Sequence, residues 1–76
     1  MVAITRFGAK VRQLRDETAM SQLELAQRIG MKSKGYISEI EAGKKIPPAK
    51  TILLLATVFH VTTDSLLRDE LEIERR

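Results

Sequence analysis

Residues Ser21–Gly43 read SQLELAQRIGMKSKGYISEIEAG, and this stretch decides how the chain folds. Ser21 is followed three residues later by Glu24, a spacing that is typical of a capping box at the N-terminus of a helix. Apolar residues then repeat with the helical period, at Leu23, Ala26 and Ile29. Gly30 predicts the end of this helix, because glycine adopts a positive φ at little cost.

A second short helix follows after a tight turn. Ser33 is its predicted N-cap, Ile37 and Ile40 form its buried face, and Gly43 ends it. Two helices joined in this way form a helix-turn-helix, a motif that places its second helix in the major groove of DNA. The segment therefore indicates double-stranded DNA as a partner, with residues 34–42 as the recognition helix.

The remaining sequence predicts three more helices and no strand, so the expected fold class is all-α with five helices. Helix one is expected over residues 5–18 with Thr5 as its N-cap, and helix two over residues 22–29. Helix four is expected over residues 49–59; it is apolar nearly all round, which places it at the centre of the bundle.

The end of the chain is expected to hold the fifth helix. His60 terminates helix four, and either Thr62 or Thr63 caps helix five. A length of 76 residues predicts a single domain, with a core over about residues 5–69 and a C-terminal extension over residues 70–76.

Charge is distributed unevenly along the chain. Ten of the 13 Lys and Arg residues lie within the first 50 residues, against five of the ten acidic residues. The basic half therefore coincides with the helix-turn-helix, as contact with phosphates requires. Arg6, Lys10 and Arg12 of helix one either add to this contact or lie on a solvated face, and the solvated face is the simpler interpretation.

Composition argues against several other classes of protein. The sequence has no Cys, no Gly-rich phosphate loop and one His, so no catalytic residues, metal site, cofactor or small-molecule ligand are predicted, and the chain is not expected to be an enzyme. The longest apolar run is too short to span a membrane, and no signal-peptide pattern precedes it. The predicted localisation is cytoplasmic.

Several independent spacings agree with one family. They are Arg12…Arg15, Ser21-Gln22…Leu25-Ala26, Gly30, Ile37-Ser38, Ile40-Glu41, Gly43, Pro48, and Val61-Thr62…Asp64…Leu66-Leu67. From Phe7 to Leu67 the chain thus resembles the lambda-repressor-like helix-turn-helix family, the XRE/Cro group. The resemblance implies a five-helix domain that binds specific DNA sequences, usually as a dimer on palindromic operators. It is compatible with a Cro-like small regulator, a restriction–modification controller protein or an antitoxin-like autoregulator.

Individual roles follow from the resemblance and from position. The resemblance implies that Arg15 pairs with Glu41, although a direct phosphate contact by Arg15 is the alternative. The outward face of the recognition helix predicts base contacts from Lys34, Gly35, Ser38 and Glu39. Lys34 suits guanine, whereas Glu39 either accepts from cytosine N4 or pairs with a neighbouring lysine.

Two further sets of residues complete the predicted site. The resemblance implies a phosphate contact from Gln22, and further phosphate contacts are expected from Lys32, Tyr36, Lys44 and Lys45. For Tyr36, packing of the ring against helix two is the alternative. A homodimer interface is expected from the apolar stripe Leu66, Leu67, Leu71 and Ile73. Alternatively, Leu66 and Leu67 close the monomer core and residues 71–76 fray.

The sequence departs from the family pattern in two places. The spacing from Gly30 to Ser38 is one residue longer than usual, and the extra residue is expected in the turn at Met31-Lys32-Ser33. Ala19 stands where the family prefers glycine after helix one. Since left-handed geometry strains alanine by about 1–2 kcal/mol, the junction is expected to have changed shape.

The predicted function is a transcriptional regulator that binds a palindromic operator as a homodimer. The alternative is a protein-interaction adaptor, of the kind that neutralises a toxin, in which the same fold binds DNA only secondarily.

Overall fold

A computed structural model of the protein describes residues 4–75, and five α-helices follow one another within them. Their bounds are α1 Phe7–Glu17, α2 Gln22–Arg28, α3 Gly35–Glu41, α4 Ala49–Phe59 and α5 Thr63–Leu67. The only β pairing among these residues is an isolated antiparallel bridge between Val61 and Arg75. The predicted all-α class is confirmed. None of the described helices combines the length and the apolar character that crossing a membrane requires.

Local signals set the starts of two helices. The predicted capping box is present at α2, where Ser21 Oγ accepts from the Glu24 N–H at 3.0 Å and Glu24 Oε1 accepts from the Ser21 N–H at 3.1 Å. Thr62 caps α5, and its hydroxyl accepts from the Ser65 N–H at 3.1 Å. Of the two threonines predicted for this role, the first is therefore used.

Four helices end in the same way, with one residue in left-handed geometry. Gly30 and Gly43 have φ of 87° and 78°, whereas Ala19 and His60 have φ of 54° and 56°. After α1, Ala19 N–H donates to Asp16 O and Met20 N–H to Arg15 O, the pair of bonds that defines a Schellman motif. The expectation that this junction had changed shape is wrong, because Ala19 adopts the strained conformation itself.

Every helix contributes the side chains of one face to the hydrophobic core. Its fully buried apolar side chains come from all five helices and the α4–α5 junction: Val11, Leu14, Leu25, Ala26, Ile37, Ile40, Leu55, Ala56, Val61 and Leu66. Leu23, which was expected on the buried face of α2, is 43% exposed, because Leu25, Ala26 and Ile29 form that face instead.

Helix α4 does not lie at the centre of the bundle, contrary to expectation. Its buried residues are Thr51, Ile52, Leu55, Ala56 and Phe59, which share one face. On the opposite side Leu53 and Leu54 are 56% and 37% exposed. The helix is apolar all round but covered on one side only.

Helices α1 and α3 meet in backbone contact at Gly8. A Cβ atom at this position would lie 2.2 Å from the carbonyl oxygen of Ile40, which no side chain tolerates. The absence of a side chain at Gly8 therefore lets α1 hold the recognition helix directly.

The N-terminus of α1 is capped from the far end of the chain. Asp69 Oδ1 accepts from the backbone N–H groups of Thr5 and Arg6, both at 2.8 Å. Thr5 is not the N-cap that was expected; Arg6 holds that position, and the Thr5 hydroxyl donates to Asp69. A carboxylate is the stronger acceptor because it is charged, and here it accepts from the N-cap residue of α1 and from the residue before it.

Lys10 is buried, although a solvated position was the simpler expectation. Its side chain is 1% exposed, and its Nζ donates to the carbonyl oxygens of Ser65, Arg68 and Leu71 at 2.5, 2.7 and 2.7 Å. Burial lowers the pKa of this ammonium group. Lys10 thus joins α1 to the end of α5 and to the segment after it.

Residues 68–75 return along the domain. Thr62 N–H donates to Glu74 O at 3.0 Å, Arg75 pairs with Glu17, and Ile73 packs against the core. The alternative expectation that the chain frays from residue 71 onward is therefore wrong for residues 71–75, while residue 76 lies outside the described range.

Candidate nucleic-acid interface

The turn between α2 and α3 absorbs the extra residue found in the sequence. Helix α2 is capped at Ile29 and α3 begins at Gly35, so the insertion stays in the loop, as predicted. Ser33 is not the N-cap of α3; that position is taken by Lys34, which already has helical backbone angles and makes no side-chain cap. The longer turn has moved the start of the helix by one residue.

The outward face of α3 carries the predicted base-reading residues. Ile37 and Ile40 are fully buried, and Gly35, Ser38 and Glu39 are exposed on the opposite side, with Lys34 exposed just ahead of the helix. Ala42 is exposed on the same face, at seven positions from Gly35. Ala42 was not among the predicted contact residues, although its helical spacing from Gly35 marks it. Because Gly35 and Ala42 are small, the backbone is accessible at both ends of this face.

A buried ion pair fixes α3 to α1. Arg15 Nε lies 2.8 Å from Glu41 Oε2, and Arg15 Nη2 lies 3.1 Å from Glu41 Oε1, a bidentate geometry between the two residues that were predicted to pair. The two side chains are 14% and 6% exposed. The hydrogen bond to Glu41 raises the pKa of Arg15. Arg15 Nη1 also donates to Met20 O at 3.0 Å, so the guanidinium joins α1, the α1–α2 junction and α3.

Gln22 belongs to the same network. Its Nε2 donates to Glu41 Oε1 at 3.1 Å, so the side chain is held at the first turn of α2. An amide nitrogen carries two hydrogens, and one remains for a further acceptor. The side chain thus keeps a donor for the predicted phosphate contact, and its contact with Glu41 already sets its direction.

The lysines around α3 are not equivalent. Lys32, Lys34 and Lys44 are exposed and form no ion pair within residues 4–75. Lys45 instead lies with its Nζ 3.5 Å from Glu39 Oε1 and 4.8 Å from the centre of the Tyr36 ring. Glu39 therefore makes the lysine contact that the sequence left open, and the Tyr36 ring packs partly against the core.

The residues predicted to form the dimer interface are partly or fully buried within the monomer instead. Leu66 has no exposed surface and cannot contact a second subunit, so its assignment to the interface is wrong. Leu67, Leu71 and Ile73 are half-buried, and Leu67 and Ile73 pack against the core. Helix α5 points Leu66 into the core. Two adjacent leucines do not indicate which of them is buried, so the sequence pattern could not predict this orientation.

Comparison with known proteins places this geometry in a family. A sequence model described as helix-turn-helix matches residues 11–66, which include α2, the turn and α3. The chain belongs to this helix-turn-helix family. The match covers the greater part of the domain, and the lambda-repressor-like resemblance found from the sequence is confirmed.

Three similar proteins illustrate the family. The chain is 31% identical to the 10 kDa protein of the ImmF control region of Bacillus phage phi105, over 90% of this chain and 74% of that protein. It is 34% identical to the SPbeta prophage-derived uncharacterized HTH-type transcriptional regulator YonR of Bacillus subtilis, over 82% of this chain and only 56% of that protein. The P22 c2 repressor, solved in complex with a synthetic operator, superposes with a TM-score of 0.76 at 26% identity, covering 80% of this chain and 91% of that chain.

The fold is therefore that of DNA-binding transcriptional regulators. Two of these relatives are named as a transcriptional regulator and a repressor, which agrees with the expectation that the chain is not an enzyme.

Proposed function

We propose that the protein is a sequence-specific transcriptional regulator that binds double-stranded DNA with α3 in the major groove. One observation carries the proposal: α3 presents an exposed outward face while Arg15 and Glu41 fix its inner side to α1. A reading helix has to be held rigidly, because base contacts depend on register. The similar P22 c2 repressor was solved in complex with an operator, which supports DNA binding by this chain.

The residues around α3 divide into two roles. Lys34, Gly35, Ser38 and Glu39 face the base edges, with Gly35 allowing the backbone to approach closely. Phosphates are bound on either side by four residues: Gln22, Lys32, Tyr36 and Lys44. Lysine serves as a point charge in this role, which gives affinity without sequence preference.

The proposed active form is a homodimer on a palindromic operator. Two-fold symmetry would place two copies of α3 about 34 Å apart, one turn of DNA. The proposed contact consists of Leu67, Leu71 and Ile73, which keep part of their surface exposed in the monomer.

Footprinting tests the proposal on the DNA upstream of the coding region, since small regulators often control their own genes. We expect protection of an inverted repeat, and an affinity that falls roughly 10³–10⁵-fold between 50 and 200 mM salt if about 6–10 phosphates are bound. The double variant Lys32→Ala, Lys44→Ala should weaken binding to all duplexes and flatten the salt slope.

The control is Lys50→Ala, which removes an exposed lysine from α4 outside the site and should leave the slope unchanged. Weak binding that ignores sequence would contradict the proposal and favour the adaptor interpretation. Protection of a single half-site would contradict the homodimer but leave the proposed DNA binding intact.

A further inference from the structure

We infer that Glu39 and Lys45 act together as one reading element for a guanine–cytosine base pair in the major groove. The inference rests on the proposed DNA-binding function and assigns Lys45 to base recognition instead of to the phosphate backbone.

The backbone after α3 brings Lys45 back over the helix. Gly43 has a φ of 78°, and the Lys44 N–H donates to Glu39 O at 3.0 Å, so the chain reverses at the end of the helix. Lys45 comes next, and its side chain runs along the face that carries Tyr36 and Glu39, one helical turn apart. The lysine therefore belongs to the surface of α3, although it follows the helix in sequence.

Two contacts hold the ammonium in place. The carboxylate of Glu39 attracts it from one side at 3.5 Å, and the electron-rich face of the Tyr36 ring attracts it from another at 4.8 Å. The ring is itself packed against the core, so it provides a fixed support. Lys44, the preceding residue, has no such contact within the described part of the chain and remains free to meet a phosphate.

Both partners keep hydrogen-bonding capacity toward solvent. The side chains of Lys45 and Glu39 are 40% and 50% exposed. An ammonium has three donors and a carboxylate about four acceptor positions, and the 3.5 Å contact between them occupies at most one of each. The pair thus offers a donor and an acceptor side by side on the outward face of α3.

A guanine–cytosine pair presents the complementary arrangement. Cytosine N4 is a donor at one side of the major-groove edge, and guanine O6 and N7 are two neighbouring acceptors. Glu39 accepts from N4 while Lys45 donates to O6 and N7. An adenine–thymine pair fits poorly, because its single donor, adenine N6, lies between the two acceptors N7 and O4, which repel a carboxylate. The pairing also reduces repulsion between Glu39 and the phosphates.

Selection of tight binders from a library of randomised duplexes tests the inference. The wild-type chain should enrich a site with a guanine–cytosine pair at symmetric positions, preferred roughly 5- to 150-fold over the other pairs. Glu39→Gln and Lys45→Met should each lose the preference at the same base pair, and the double variant should lose no more than either single variant. Lys44→Met is the matched control and should lower affinity evenly while the selected sequence stays unchanged.

Two outcomes would overturn the inference. Lys45→Met could behave like Lys44→Met, or the two pair variants could lose preference at different base pairs. If the wild-type chain enriches no sequence at all, the proposed function fails with it. Circular dichroism melting of each variant should stay close to that of the wild type, since a partly exposed ion pair contributes little to stability.

Discussion

Ala19 has left-handed backbone without being glycine. Its φ of 54° ends α1 in the conformation that Gly30 uses, with a φ of 87°, to end α2. For a residue with a Cβ atom this geometry costs about 1–2 kcal/mol, whereas glycine adopts it freely. Ala19 is exposed, so the strain is not offset by packing of its methyl group in the core.

Ala19→Gly should therefore stabilise the domain. We expect the free energy of unfolding to rise by about 0.5–1 kcal/mol, because relief of strain exceeds the entropy that glycine adds to the unfolded chain. Urea denaturation measures the change. Gly30→Ala is the matched control and should destabilise by a similar amount. A loss of stability in Ala19→Gly would mean that the junction is not strained.

The contacts that could be predicted from the sequence are those between residues that are close in sequence or that occupy positions fixed by the family pattern. The Arg15–Glu41 pair was predictable because the resemblance fixes both positions, and the capping box of Ser21 and Glu24 spans only three residues. The contact of Lys45 with Glu39 appeared only as one alternative, because its geometry depends on the turn at Gly43.

At the scale of elements, α4 was predicted with its observed bounds, since Pro48 starts it and His60 ends it. The burial of its faces was not predictable, because an all-apolar helix has no pattern that marks a solvent side. The starts of α1 and α3 were also misjudged. A distant carboxylate replaced the local cap at α1, and an extra turn residue shifted the start of α3.

Lys10 anchors α5 and the segment after it to α1. Lys10→Met should lower the free energy of unfolding by about 2–3 kcal/mol. The substitution leaves three carbonyl groups without their charged donor. The free energy lost by leaving these carbonyl oxygens without a hydrogen bond exceeds the free energy gained by no longer burying a charged ammonium. Hydrogen exchange should also accelerate at the Thr62 N–H, which donates to Glu74 O.

A control for this substitution lies on the same helix. The Arg12 side chain is 68% exposed, and its one ion pair within residues 4–75 is with Asp16, at 3.9 Å. Arg12→Met should change stability by no more than about 0.5 kcal/mol. If Lys10→Met unfolds no more easily than Arg12→Met, the contacts of Lys10 do not hold the C-terminal segment.

For the whole molecule, carboxylates connect the C-terminal segment of the domain to both ends of α1. Asp69 accepts from the N–H groups of Thr5 and Arg6, and Glu17 pairs with Arg75. Hydrogen bonds from Thr5 and Arg6 lower the pKa of Asp69, and the hydrogen bond from Arg75 lowers the pKa of Glu17. The stability that these groups contribute is present above the pKa of the unfolded chain and is lost as the pH falls through the lower pKa of the folded protein.

Asp69→Asn isolates this effect. At pH 7 the variant should unfold at a lower urea concentration than the wild type, because an amide oxygen is a weaker acceptor for the two N–H groups that Asp69 caps. The difference should shrink as the pH falls below about 4, where the wild-type carboxyl begins to bind its proton in the unfolded chain. Glu70→Gln removes a neighbouring exposed carboxyl that forms no ion pair within residues 4–75, and its deficit at pH 7 should be much smaller. A deficit in Asp69→Asn that stays constant down to the acid transition would show that the carboxylate does not cap α1, and that the ends of the chain are held by other contacts.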